Sequence, residues 1–410
     1  MIKRFIIVWL AYWVIYLLQP VSSIYSDIFF AFSIQFIFVL TVTLAYCFTN
    51  IVNTQKISCT IEIKELNKKN ALRIIKIGIF ISFIGVIFLF FNKIFIQGIN
   101  YFDGIGAARH QMTALTEEGS GSISSVYSAI GYPISSAYFI SAMLIFSPNL
   151  LIRDRNRIVL IFIIFILLIA NSFLVGGRSG ILLALTFLTF PLFSENKINL
   201  FKNKNCYRFL GIILSILFIY ILYIFHSRAS VNDINIKDYS IDFLEYLGLV
   251  PYDWFLILSE DKYYGETLAI INLALSYMTH SISTVAGLLD YKSSGFPVFN
   301  YLIILLEKLK FINNIDVDWP LAGRFMSLPG GVYFIWGFLG LLIFSVLIGV
   351  FVGVISNIFR KNTNSMSLFF ICSIFESLLL SSPFIFAGDL IFFPFIIIGG
   401  FLTLIISRLL

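Results

Sequence analysis

Residues 158–193 read IVLIFIIFILLIANSFLVGGRSGILLALTFLTFPLF, and Arg178 is the one charged side chain in these 36 positions. A helix of about 20 apolar residues crosses a hydrocarbon layer of ~30 Å. The run is therefore read as two spans, 158–175 and 181–193, joined by a tight turn. Gly176 and Gly177 permit φ > 0 in that turn, and Gly180 lets backbones approach. Such a hairpin puts the Arg178 guanidinium at the lip of the bilayer. There it either reaches lipid headgroup phosphates as an anchor or holds a substrate phosphate with its planar fork of donors.

The rest of the chain has the same character. Of 410 residues, 59% are hydrophobic and 12% charged. Backbone in lipid must satisfy its own hydrogen bonds, so the expected fold class is an all-α polytopic integral membrane protein. The start, MIKRFIIVWLAYWVIYLL, has the basic residues and apolar core of a signal peptide, but the apolar chain behind it favours an uncleaved first span. No P-loop, fixed-period repeat or zinc-type Cys/His spacing occurs. No metal, organic cofactor or nucleic acid is expected as a partner.

Further spans are read at 5–18, 28–49, 74–92, 124–146, 208–226, 331–357, 367–386 and 390–407, ten in all. Basic residues concentrate in alternate loops, which by the positive-inside rule face the cytoplasm together with both termini. That side holds 18 of 28 basic residues and four acids, while the other receives ten basic residues and 17 acids. Residues 1–226 then carry spans one to seven and a first external loop (93–123), 227–330 a large external loop, and 331–410 the last three spans. Within the large loop, 241–258, 268–289 and 298–312 are apolar and tyrosine-rich, as expected of helices in or near the interface. If the last two pair as a hairpin, the count rises to twelve. None of the four cysteines faces outward, so no disulfide is expected in the external loops.

The external side has four arginines, Arg109, Arg178, Arg228 and Arg324, on an otherwise acidic face. Each can simply pair with a nearby carboxylate. As a set at the outer lip they suit a lipid-linked diphosphate, and the tyrosines and carboxylates around them suit sugar rings and hydroxyls. All three histidines, His110, His226 and His280, lie outside or near the outer boundary. Histidine can take and return a proton near neutrality. His280, in an uncharged segment beside Thr279, Ser281 and Ser283, is the expected general base, with a buried structural histidine as the plain alternative. Asp253, Glu117 and Glu118 compete for that role. The DVD at 316–318 resembles a metal-binding DxD only superficially. Glu376, the only acid inside a span, is expected in a hydrogen-bonded contact between helices.

The GGRSG turn, the arginine-bearing first loop, the larger loop with FHSRAS and YMTHSISTVAGLLD, and GRFMSLPGGVYFIWGFLG before span eight are similar to the O-antigen polymerase (Wzy-type) family. One departure stands out: eleven residues after Arg109, Arg228 and Arg324 come Ser120, Tyr239 and Ile335, where some members have glycine. The resemblance implies a GT-C-like bundle and a membrane glycosyltransferase in the bacterial inner (cytoplasmic) membrane. Its donor and acceptor would be undecaprenyl-diphosphate-linked oligosaccharides, met at the periplasmic face, with Arg109, Arg178, Arg228 and Arg324 on the diphosphate. Membrane lipids and a chain-length regulator protein are the implied partners. An O-antigen ligase is the nearest rival. A flippase or transporter is the other, but it ordinarily carries charged residues along a central path and short loops.

Overall fold

The computed structural model describes residues 1–54, 68–102, 105–117, 124–147, 154–175, 179–193, 234–261, 264–289, 306–307, 309–311, 324–362, 365–384 and 392–410, with isolated positions between 211 and 229. The described chain is helical apart from one short ribbon. In order it forms α1 (Ile2–Leu18), β1 (Val21–Ser23), α2 (Ile28–Thr54), α3 (Lys68–Phe91), α4 (Ile105–Glu117), α5 (Val126–Ser135), α6 (Tyr138–Ile145), α7 (Asp154–Val175) and α8 (Ser179–Phe193). Next come α9 (Ile236–Tyr246), β2 (Leu249–Pro251), α10 (Asp253–Ser259), α11 (Gly265–Thr279), α12 (Ser281–Leu288), α13 (Leu328–Lys361), α14 (Met366–Ser381) and α15 (Phe392–Leu409).

Among the described residues, five stretches are long and apolar enough to cross a membrane: α2, α3, α5 with α6, α7 and α13. A sixth arises if the bent pair α11–α12 is one span, and α14 and α15 are shorter apolar helices. Large apolar side chains point outward all over these helices, among them Phe29, Leu44, Phe80, Leu339 and Ile343. In water so much exposed apolar surface would drive aggregation. In lipid it is the expected exterior. Inside, serines such as Ser82, Ser135, Ser141, Ser345 and Ser373 are buried, the small polar residues by which membrane helices pack closely. The protein is an all-α membrane-embedded bundle.

Two large apolar cores stand out among the described residues, beside two small clusters. One gathers residues of α3, α5, α6, α7, α8, α14 and α15 around Phe139, Phe187 and Phe370. The other gathers α1, α2, α9, α12 and α13 around Trp9, Phe38 and Leu341. α14 belongs to both, since Phe370 and Cys372 lie in the first core and Leu379 in the second. The two chain ends meet the same end of the bundle: Ser356, near the end of α13, donates to Met1 Sδ, and Arg408 donates to Ser367 at the start of α14.

Several sequence expectations change in detail. The segment read as the first external loop, 93–123, carries the helix α4, so Arg109 sits on a helix. The 241–258 stretch is two helices, α9 and α10, parted by a turn at Gly248 and by β2. β2 pairs antiparallel with β1, Ser22 opposite Val250, which ties the large loop to the α1–α2 connection. Most of the 298–312 segment falls outside the described residues.

α13 begins at Leu328, its Ser327 cap accepting from Gly330 N–H, and bends at Gly337 (φ 67°, ψ −167°). A Cβ at Gly337 would meet nothing within 4 Å, so only the backbone conformation demands glycine there. Gly337→Ala is expected to cost about 1–3 kcal/mol through that strain alone. A thermal melt of the detergent-solubilised protein checks it, and an unchanged midpoint would contradict the kink.

Candidate functional site

α11 ends at Thr279 and α12 starts at Ser281, with a 51° bend between them. His280 fills the break and is 1% exposed. Its Nδ1 lies 2.8 Å from the Tyr277 carbonyl oxygen, and its Nε2 accepts the Phe325 N–H at 3.0 Å. A carbonyl can only accept and an amide N–H can only donate, so these partners assign the neutral tautomer with hydrogen on Nδ1. The imidazole therefore staples residue 325 to the broken span, and both ring nitrogens are engaged by main chain. Thr279, Ser281 and Ser283, expected beside the ring, turn their hydroxyls to other partners.

Those partners come mostly from α1 and β1. Tyr12 Oη donates to the Thr279 carbonyl at 3.0 Å and also bonds the Ser281 hydroxyl. Gln19 Nε2 donates to Thr279 Oγ1 at 2.8 Å, and its Oε1 accepts from Ser276 at 3.3 Å. Ser23 and Ser283 share a hydroxyl hydrogen bond of 2.7 Å. Ser281 Oγ donates to the Pro383 carbonyl at 2.7 Å, just past the end of α14. A bent helix exposes main-chain groups that lipid cannot satisfy, and this web satisfies them from inside the protein.

Arg324 follows from the staple, being the neighbour of Phe325. Its Nη1 donates to Tyr25 Oη at 2.9 Å, and its guanidinium carbon stands 5.3 Å from the centre of the Tyr246 ring. It is half-buried and forms no ion pair among the described residues. A guanidinium has five N–H donors, so donors remain for an anion after Tyr25 takes one. Gly248 makes the room: at φ 77° it turns the chain between α9 and β2, and a Cβ would stand 2.7 Å from the Tyr25 ring and 3.3 Å from Arg324 Nη1. Its carbonyl accepts from Ser283 Oγ at 2.7 Å and from Ile24 N–H at 3.1 Å. On the same segment Tyr246, Tyr252 and Trp254 are 44%, 44% and 55% exposed, beside the exposed carboxylates of Asp242, Glu245 and Asp253.

Among the sequence-predicted residues, His280 and Arg324 come together. Arg178 and Arg228 lie outside the described residues, as do Glu118 and residues 316–318. Arg109 lies on α4 with its side chain outside the described set, His110 is exposed on that helix, and Glu117 is its last residue. His226 is exposed. No group of three His, Cys, Asp or Glu that could hold a metal occurs among the described residues. Sequence reasoning missed Tyr25, Tyr246 and Gly248 as partners of Arg324, and Tyr12 and Gln19 as partners of the break. General tyrosine richness was the only signal.

No protein-family model matches the chain, and none of the curated proteins or solved structures matches it.

Glu376 confirms the expected contact between helices with an unexpected partner. It is wholly buried on α14, and both its oxygens accept from Arg4 of α1, Oε1 from Nε and Oε2 from Nη2 at 2.8 Å. The serines around it bond elsewhere, Ser373 to the Phe369 carbonyl and Ser377 with Thr186.

Proposed function

We propose that this protein is a membrane-embedded glycosyltransferase that polymerises oligosaccharide repeat units carried on a lipid diphosphate, a bacterial surface polysaccharide polymerase. The observation that carries the reading is Arg324: a half-buried guanidinium, held by Tyr25 and Tyr246 beside a broken apolar helix, with no carboxylate among the described residues pairing with it. Such a site suits an anion whose head lies at the membrane edge and whose tail needs apolar surface. The exposed Tyr246, Tyr252 and Trp254 suit sugar rings, and their carboxylate neighbours suit hydroxyls.

In the reaction, a hydroxyl of the acceptor unit attacks the anomeric carbon of the donor chain. The bond from that carbon to the diphosphate oxygen breaks, its electron pair stays on the diphosphate, and the hydroxyl proton passes to a base. Arg324 stabilises the charge developing on the diphosphate, together with Arg109, Arg178 and Arg228. His280, with both nitrogens bonded to main chain, fits a positioning role here, and the base falls to a carboxylate such as Asp253. The bundle of this reading is GT-C-like with about ten to twelve spans. Both termini are cytoplasmic, the protein sits in the bacterial inner membrane, and the site faces the periplasm. Undecaprenyl-diphosphate-linked oligosaccharides are donor and acceptor, and a chain-length regulator is a partner.

The test is a gel of surface polysaccharide from a deletion strain. Collapse of a ladder to a single capped repeat, restored by the wild-type gene, supports the polymerase. Loss of even the single repeat rejects it, leaving the flippase and ligase readings.

A further inference from the structure

The Arg4–Glu376 pair stands apart from the site, and the proposed chemistry does not use it. A carboxylate alone in the interior of a membrane bundle is strongly unfavourable, and it is tolerated when a cation and hydrogen bonds meet it. An ion pair inside a bundle adds little net stability over apolar packing, but it can specify register, because any slip leaves both charges unpaired. α1 and α14 are held to each other at a second level by Trp9 Nε1, which donates to Ser382 Oγ at 3.0 Å. Beyond it, the same two elements hold the site. Tyr12 of α1 bonds Thr279 and Ser281, and the end of α14 supplies the Pro383 carbonyl to Ser281 and the Ser382 carbonyl to Leu328 N–H at 2.8 Å. Leu328 is four residues after Arg324, and Ser281 is next to His280.

From these contacts we infer that Arg4 and Glu376 are positioning residues, an axial lock between α1 and α14 that sets the place of the His280 break and of Arg324. Tyr12 lies eight residues beyond Arg4, about 12 Å along the helix. A slip of one turn, about 5.4 Å, would take Trp9, Tyr12 and Gln19 off their partners together. The activity readout below rests on the polymerase reading, whereas the cross-linking readout does not.

The test uses the full-length protein in membranes with Ser23→Cys and Ser283→Cys added, since those hydroxyls are 2.7 Å apart. Mild oxidation should join them in the otherwise wild-type chain, and mass spectrometry of the peptides identifies the bond. With Glu376→Gln, which keeps the volume and removes the charge, or with Arg4→Glu, cross-linking is expected to fall about tenfold at unchanged protein level. The swap Arg4→Glu with Glu376→Arg should restore it. Wild-type cross-linking in Glu376→Gln overturns the proposal. So does an equal loss in the singles and the swap, which would assign the effect to packing at position 376. The polysaccharide ladder, scored in the same strains without the added cysteines, should follow the cross-linking. If cross-linking behaves as expected while the ladder never depends on the chain, the lock stands and the polymerase reading fails.

Discussion

Under the polymerase proposal, Arg324→Ala is expected to abolish the polysaccharide ladder while the protein remains in the membrane at its normal level. Removing one preorganised donor to developing charge ordinarily costs about 10²–10³ in rate, and Arg324 has no described carboxylate partner whose loss would complicate the outcome. Tyr246 keeps its ring contact with Phe243 and Tyr25 N–H its hydrogen bond to Ser23 Oγ when the guanidinium goes, so the fold should survive. Arg324→Lys is expected to recover little. A lysine offers a compact point charge, and it loses the planar fork and the stacking over the Tyr246 ring at 5.3 Å. The checks are ladder length in vivo and turnover of lipid-linked repeat units by the purified protein. A full ladder from Arg324→Ala would remove Arg324 from the site and leave the tyrosine-held guanidinium a structural contact.

His280→Ala is the second large effect, and its cause separates two roles. The substitution leaves the part-buried Phe325 N–H and Tyr277 carbonyl without their partner, up to about 1–3 kcal/mol for each group that water does not reach. It also frees residue 325 from the break, and Arg324 with it. Turnover should fall by about 10² or more, in step with that displacement. His280→Gln carries an amide oxygen that can still accept the Phe325 N–H, so a strut predicts partial recovery and an unchanged ascending limb in the pH–rate profile. A general base predicts the opposite: glutamine as inactive as alanine, with the ascending limb gone. Measuring turnover of the three proteins across pH decides between them.

Much of the membrane character was legible in the sequence. Hydropathy is a sum over neighbours along the chain, so spans such as 158–175 and 331–357 could be read from local composition. The bend at His280 was not. Nothing in YMTHSISTVAGLL announces a break, because the break is stabilised from outside by Tyr12, Gln19 and Pro383. The same holds for the Gly248 turn inside IDFLEYLGLVPYDWFLIL, read as one apolar segment and split by a pairing with β1 that begins at Val21. His280 was read as a general base or a buried structural histidine, and the sequence could not say that both ring nitrogens go to backbone. Main-chain groups freed at a break are the donors and acceptors in greatest need of a partner.

By itself the sequence determined that this chain is an α-helical membrane protein and that one carboxylate, Glu376, lies within an apolar segment. These follow from the identity of each residue and its near neighbours, and they hold for any packing of the helices. Only the tertiary structure decided which groups meet. Arg324 finds Tyr25 across 299 positions and Arg4 finds Glu376 across 372. A hydrogen bond depends on distance and angle to a particular atom, and that geometry exists only once α1, α14 and the broken α11–α12 pair have packed together.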